Sequence, residues 1–248
     1  AGDGKHFYTA DSLFNLAQVG MEQMGASLLE GESLALDHPA YRRVWQAVFE
    51  PAVRGGYAIY DGYSSDLSKT GEIVCSTGST AGILFYGDRI TYPDNTTEQV
   101  EYTVLPFPTF EGGKKIAIQR GNGLVVARST PEKEQAAVLF LKWFTQPEQN
   151  MRFVASTGYL PVTQKAFEIA KASGYYEKNP GADVAVKQML KTTDKSRGIR
   201  LGYLPNIRTI VDEEFEKIWS GKATAKEALD AVVRRGNEQL VRFERVTK

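Results

Sequence analysis

Apolar residues recur at helical spacing in several long stretches, and shorter apolar runs lie between them. Leu13, Phe14, Leu16, Ala17 and Met24 form the first stripe, with Asp11 or Ser12 placed to cap it. Asp37 and Pro39 open a second helix carrying Tyr41, Val44, Trp45, Val48 and Phe49, which Gly55-Gly56 stops. Ser129 and Glu132 form a capping-box pattern ahead of Ala136, Leu139, Phe140, Trp143 and Phe144. Ile207, Ile210, Val211, Phe215 and Ile218 make a further stripe ended by Gly221. Thr224 and Glu227 then repeat the capping box before Ala228, Leu229, Val232, Val233 and Leu240. The runs at 73–77, 102–105, 115–119 and 124–127 read as strands, the first of them buried. Strands interspersed with helices predict an α/β fold.

With 248 residues, 42% of them hydrophobic, the chain can build one large core or two modest ones. Lys plus Arg and Asp plus Glu both total 30, so no basic excess points to nucleic acid or to a membrane surface. A local anion site remains compatible with that balance. The single Cys75 rules out an internal disulfide and a Cys-rich metal site, and His6 and His38 stand in no metal-ligand spacing. No run approaches the roughly 18 apolar residues of a membrane span. Ala1-Gly2-Asp3-Gly4 shows no signal-peptide pattern, which reads as a processed start or a segment of something longer.

Several short signals could carry chemistry. Arg120-Gly121-Asn122-Gly123 does not fit a Walker loop; it is a tight turn between strands or a backbone that lets a ligand approach closely. Gly78-Ser79-Thr80 follows an apolar strand, where Ser79 either caps the next segment or presents a hydroxyl to an anion. Arg208 lies in the first turn of its helix, where the dipole does not favour a cation. It either pairs with Asp212 one turn on or faces an anionic ligand with its planar fork. Tyr159 and Tyr203 stand at glycine-flanked turns, suited to packing or to stacking on a polyol. Catalytic readings fare badly: Cys75 reads as an inert buried thiol, Glu213-Glu214 as a solvated face, and neither histidine sits in a triad signature. Asn95-Thr96-Thr97 matches a glycosylation sequon, a pattern common by chance.

Thr157-Gly158-Tyr159-Leu160-Pro161-Val162, Gly174-Tyr175-Tyr176-Glu177-Lys178-Asn179-Pro180-Gly181-Ala182-Asp183 and Gln188-Met189-Leu190 follow one another in order. Arg200-Leu201-Gly202, the run from Pro205 through Arg208 to Glu214, and Arg235-Gly236-Asn237 come after them. Together they resemble the glycerol-phosphate-binding members of the family-1 extracellular solute-binding proteins, the capture subunits of ABC importers. Gly71-Glu72 through Ser79-Thr80, Leu105-Pro106 and the Gly121 turn match that group upstream.

The resemblance implies a periplasmic-binding-protein-like type II clamshell of two α/β lobes. Residues 1–105 and 161–248 would form one near-complete lobe and 106–160 a remnant of the N-terminal lobe, the family's first domain being absent. The ligand-binding residues implied are Ser79, Gly121, Tyr159 and Arg208, with Tyr8 and Asp11 as lesser candidates. Arg208 would take a phosphate, Ser79 donate a hydroxyl, Gly121 bring its amide close, and Tyr159 cover the glycerol moiety. The expected function is capture of sn-glycerol 3-phosphate or a glycerophosphodiester such as glycerophosphocholine by hinge closure. Delivery would be to an ABC permease in the membrane, with no catalysis, cofactor, metal or nucleic-acid partner. The expected location is extracytoplasmic, in a periplasm or on a cell-surface lipoprotein. An oligosaccharide binder of the same family is the alternative.

Overall fold

A computed structural model of the chain describes residues 4–191 and 199–247. The expected α/β character holds. Strand β1 (His6–Ala10) pairs in parallel with β4 (Ile73–Thr77), matching Ala10 to Thr77 at their carboxyl ends, and Tyr57 bridges to Tyr8 on the other side. Two small antiparallel ribbons, β2 (Leu29–Glu30) with β3 (Ser33–Leu34) and β5 (Arg89–Thr91) with β6 (Thr97–Gln99), complete the described strands.

Helix α1 (Leu13–Gln23) starts where Ser12 caps it, its hydroxyl accepting from Asn15 N at 3.2 Å. The second helical stretch divides. α2 (Pro39–Val44) is capped by the His38 ring, a π-helical turn spans Trp45–Phe49, and α3 (Glu50–Val53) follows. Pro51 explains the break: it has no N–H for the carbonyl of Ala47. The Tyr57 hydroxyl donates to that carbonyl at 3.0 Å instead. α4 (Ser64–Lys69), α5 (Pro131–Phe144), α6 (Pro147–Thr157), α7 (Gln164–Ala172), α8 (Tyr175–Lys178) and α9 (Pro180–Met189) lead to α10 (Leu204–Trp219) and α11 (Ala225–Thr247). α11 begins with the expected box, Thr224 N donating to Glu227 and Glu227 N to the Thr224 hydroxyl.

The main core joins the two ends of the chain. Phe14, Met21, Tyr41, Val44 and Phe49 pack against Val211, Phe215, Ile218, Ala228 and Val232. Phe49 is 0% exposed, stacked 4.9 Å from Trp45 and edge-on 4.9 Å from Phe215. A smaller cluster gathers Ala170, Tyr176 and Val186, with Phe167, Leu160 and Met151 beside it.

Several expectations need correction. Residues 102–105, 115–119 and 124–127 form no strand, because no described segment supplies the partner that β pairing requires. β4 is not buried along its length: Ile73 is, but Val74 is 65% exposed and Cys75 is an exposed free thiol. Among the described residues no layer covers the face that Val74 shares with Phe7, which is exposed too. The Cys75 thiol donates to Phe7 O, and burial of its inner side pushes its pKa up, so it stays protonated rather than nucleophilic. The N-cap of α5 is Thr130, one residue beyond Ser129, and none of its residues is buried, Leu139, Phe140 and Trp143 included.

Glu214 is likewise no solvated carboxylate. It is 3% exposed and accepts from Lys217 Nζ at 2.8 Å and Arg235 Nη1 at 2.5 Å. Burial pulls its pKa upward, but these two cationic hydrogen bonds outweigh it and hold the group below its ordinary value. Its ion pairs therefore contribute fully above the ordinary glutamate range and lose that contribution as pH falls through the depressed native pKa. Arg235→Ala should cost about 1–2 kcal/mol at pH 7, less than for a fully buried pair because Lys217 remains and the Arg235 side chain is 31% exposed. Urea titrations should show that difference shrinking towards pH 3; a cost independent of pH would assign it to packing.

Candidate ligand site

The carboxyl ends of β1 and β4 lie side by side, the place where open α/β sheets expose their loops to ligands. Beyond β1, Asp11 Oδ1 accepts from Ser64 N at 2.8 Å, and its other oxygen lies over Gly78, where a methyl group would strike it. Glycine at 78 is thus required by the carboxylate beside it. One residue below, the Tyr8 hydroxyl meets the Thr77 hydroxyl, and burial pushes the phenol pKa far up, keeping it a hydrogen-bonding group. Tyr8 and Asp11 therefore brace the floor of the site.

Ser79 follows Gly78 and caps a 3₁₀ turn, Thr80–Phe85, its Oγ accepting from Ala81 N at 3.3 Å. The capping reading is thus correct, and the exposed hydroxyl keeps its proton available to donate. Gly158 closes α6 in the left-handed region at φ 72°, and a side chain there would come 3.2 Å from the backbone of Thr80 and Ala81. That close approach sets Tyr159 beside the Ser79 turn. The Tyr159 hydroxyl in turn accepts from Asn122 Nδ2 at 3.2 Å, which ties it to the loop carrying Gly121. Gly121 does not lie in the left-handed region, and a Cβ there would meet nothing within 4 Å. The chain's own backbone does not require glycine at 121, and the space before it is open.

Arg208 is the fifth residue of α10, one turn further in than expected, because the helix begins at Leu204 behind Tyr203. Tyr203 holds a left-handed conformation, φ 51°, that is uncommon for a tyrosine. Its ring packs edge-on against Phe243. The side-chain pair with Asp212 is not closed: among the described residues no ion pair or hydrogen bond holds the Arg208 guanidinium, although its charge reaches Asp212. Partial burial raises the Asp212 pKa, Arg208 opposes that rise, and Asp61 adds to it.

The structure thus joins Ser79, Tyr159 and Gly121 through short contacts. No described hydrogen bond links Arg208 to these three. Asn122 and Arg120 are the neighbours the sequence reading left without roles. Asn122 belongs to the Gly-rich turn, yet nothing in its spacing relates it to a tyrosine 37 positions on. Ser79 and Gly121 are exposed, so the site is an open face.

Residues 4–184 match the family model described as bacterial extracellular solute-binding protein. The chain is 44% identical over 188 residues to the sn-glycerol-3-phosphate-binding periplasmic protein UgpB of Escherichia coli, and 38% identical over 190 residues to that of Salmonella typhimurium. Each match covers 75% of this chain and 41% of the relative. The chain therefore spans well under half the length of these relatives. Among solved structures, UgpB from Mycobacterium tuberculosis in complex with glycerophosphocholine aligns with a TM-score of 0.66 at 21% identity, over 97% of this chain and 60% of that one. The maltose/maltodextrin-binding domain MalE of Bdellovibrio bacteriovorus, bound to maltotriose, gives 0.67 at 16% identity, over 96% of this chain and 62% of that one. These likenesses identify the type II periplasmic-binding-protein fold. The chain belongs to the bacterial extracellular solute-binding protein family.

Proposed function

We propose that this chain forms part of the solute-binding component of an ABC importer that captures sn-glycerol 3-phosphate or a glycerophosphodiester. The observation that carries the reading is Arg208: a partly buried guanidinium on the first turns of α10 whose donors have no described partner and whose nearest carboxylate stops short of pairing. Such a fork suits the oxygens of a phosphoryl group. Ser79 adds a hydroxyl donor, Gly121 an unobstructed backbone, and Tyr159 a ring and hydroxyl for a glycerol backbone. The similarity to glycerol-phosphate-binding relatives supports phosphate over other anions.

The protein does no chemistry on its cargo; it works outside the cytoplasm and hands the ligand to a membrane permease after closure about a hinge. The hinge crossing lies near residues 105–107 and the chain returns near Pro161. Residues 1–105 and 161–248 make one lobe and 106–160 belong to the other. The exposure of Leu124, Val125, Leu139, Phe140 and Trp143 within that middle segment supports the division.

The direct test is a thermal-shift titration of the full-length gene product with glycerol 3-phosphate, glycerophosphocholine and maltose. A ligand at about 100 times its Kd should add about 2.7 kcal/mol to stability. The expected result is a rise in Tm with a phosphorylated ligand and none with maltose. A rise with maltose alone would replace this cargo with an oligosaccharide, the second reading, which the maltotriose-bound fold neighbour keeps in view.

A further inference from the structure

Arg120, one residue before Gly121, is held in place by an arrangement the reading above does not use. Its Nη2 donates to Gln18 Oε1 at 2.9 Å, and its guanidinium lies 5.7 Å from the centre of the Phe14 ring. Gln18 is 1% exposed, and its own Nε2 donates to Glu22 Oε1 at 3.0 Å. An ionised carboxylate only accepts, so Glu22 turns the amide and leaves the Gln18 oxygen facing Arg120. Glu22, Gln18 and Phe14 thus orient the arginine from successive turns of α1.

The same loop is tied on its other side by Asn122 to the Tyr159 hydroxyl. Arg120 and Asn122 therefore anchor the loop on both flanks of the open Gly121. Phe14, under Arg120, and Val211, three residues on from Arg208 in α10, belong to the same core. The two arginines feel each other: burial lowers the Arg120 pKa and the Arg208 charge lowers it further, with Glu22 opposing. A guanidinium carries several N–H donors, and among the described residues a single hydrogen bond engages Arg120. Arg120 thus stands beside the open Gly121 with donors to spare, under the repulsion of a second cation, which is favourable when an anion offsets both charges.

We propose that Arg120 is a second phosphate-binding guanidinium and makes the site prefer a phosphate monoester over a diester. The proposal rests on the phosphate reading given above and deepens it. A monoester carries nearly two negative charges at pH 7, because its second pKa is about 6. A diester carries one and has an esterified oxygen that accepts more weakly. A second fixed cation therefore favours the dianion.

The test is calorimetric titration of the full-length gene product, unaltered and as Arg120→Gln and Arg120→Lys, with glycerol 3-phosphate and glycerophosphocholine. Arg120→Gln should weaken glycerol 3-phosphate binding about tenfold, the loss of one charge-assisted contact. It should change glycerophosphocholine binding less than about threefold on the same scale. Arg120→Lys should keep most of the monoester preference. The unaltered protein should bind glycerol 3-phosphate more weakly as pH falls through about 6, where the ligand takes up its second proton, and Arg120→Gln should flatten that dependence. Equal losses for both esters, or no loss for either, would overturn the role of Arg120 while leaving the phosphate site standing. Binding of neither ester to the unaltered protein would remove the phosphate reading and the Arg120 role together.

Discussion

Arg208→Ala should weaken binding of a phosphorylated ligand by about 100-fold, the effect of losing charge-assisted hydrogen bonds worth about 3 kcal/mol. The guanidinium is partly buried, has no described partner within the chain, and sits on a helix whose apolar face is already satisfied by Ile207, Ile210 and Val211. Removing it therefore takes little from the fold, and the Tm of the ligand-free protein should move by no more than about 2 °C. The substitution also removes the charge that opposes the rise in the Asp212 pKa, so Asp212 should bind a proton more readily beside Asp61. Calorimetry on the full-length gene product reads the affinity, and a melting curve reads the fold. Unchanged affinity for glycerol 3-phosphate would remove Arg208 from the site. Undiminished binding of maltose with loss of the phosphorylated ligand would show a mixed polyol surface in which the guanidinium selects the anion.

The opposite pattern is expected for Phe49→Ala. Phe49 has no exposed surface and lies within 4.9–6.5 Å of the Trp45, Phe215, Trp219 and Tyr41 rings. Truncation leaves a cavity bounded by large rings that cannot all move inward, so the cost should be about 4 kcal/mol. In a domain of this size that lowers Tm by roughly 12 °C. Ligand affinity measured well below the transition should change little, since Phe49 lies inside the core and away from Ser79, Gly121 and Tyr159. A loss below about 1 kcal/mol would mean that the aromatic cluster repacks around the gap.

The helices were largely readable because a helix satisfies its own backbone and shows its buried face as a spacing. Ile207, Ile210, Val211, Phe215 and Ile218 are buried as that spacing predicts, and Ser12 and Thr224 cap where expected. Strands were less readable because pairing takes two segments. An apolar run such as 124–127 announces a face that suits a sheet but not the neighbour that would complete it. Glu214 was misread from its chemistry although its position carried the answer: it lies four residues from both Ile210 and Ile218, on their face. Gln18 and Glu22 carry a similar signal on α1, two polar residues four apart on a helix whose neighbours Ala17, Val19 and Met21 are buried. The site was another matter. Ser79, Gly121, Tyr159 and Arg208 each read singly as a possible ligand group, but only the family resemblance gathers them into one phosphate site, since no spacing brings a turn at 158 onto the backbone of residues 80–81. What spacing could not supply, close packing of backbone at Gly158 and one amide-to-phenol hydrogen bond do.

The joining of the chain's two ends also bears on when the protein can fold. Leu34 N donates to Asn237 Oδ1 at 3.0 Å across 203 positions, and a methyl group on the adjoining Gly236 would force the Leu34 side chain to move. The core around Phe49 is likewise incomplete without Phe215, Ala228 and Val232. Such a core cannot close while the ribosome is still making the middle of the chain, and the long loop it must shut makes closure slow. The contact between Leu34 and Asn237 therefore forms only after nearly the whole of this sequence has been made.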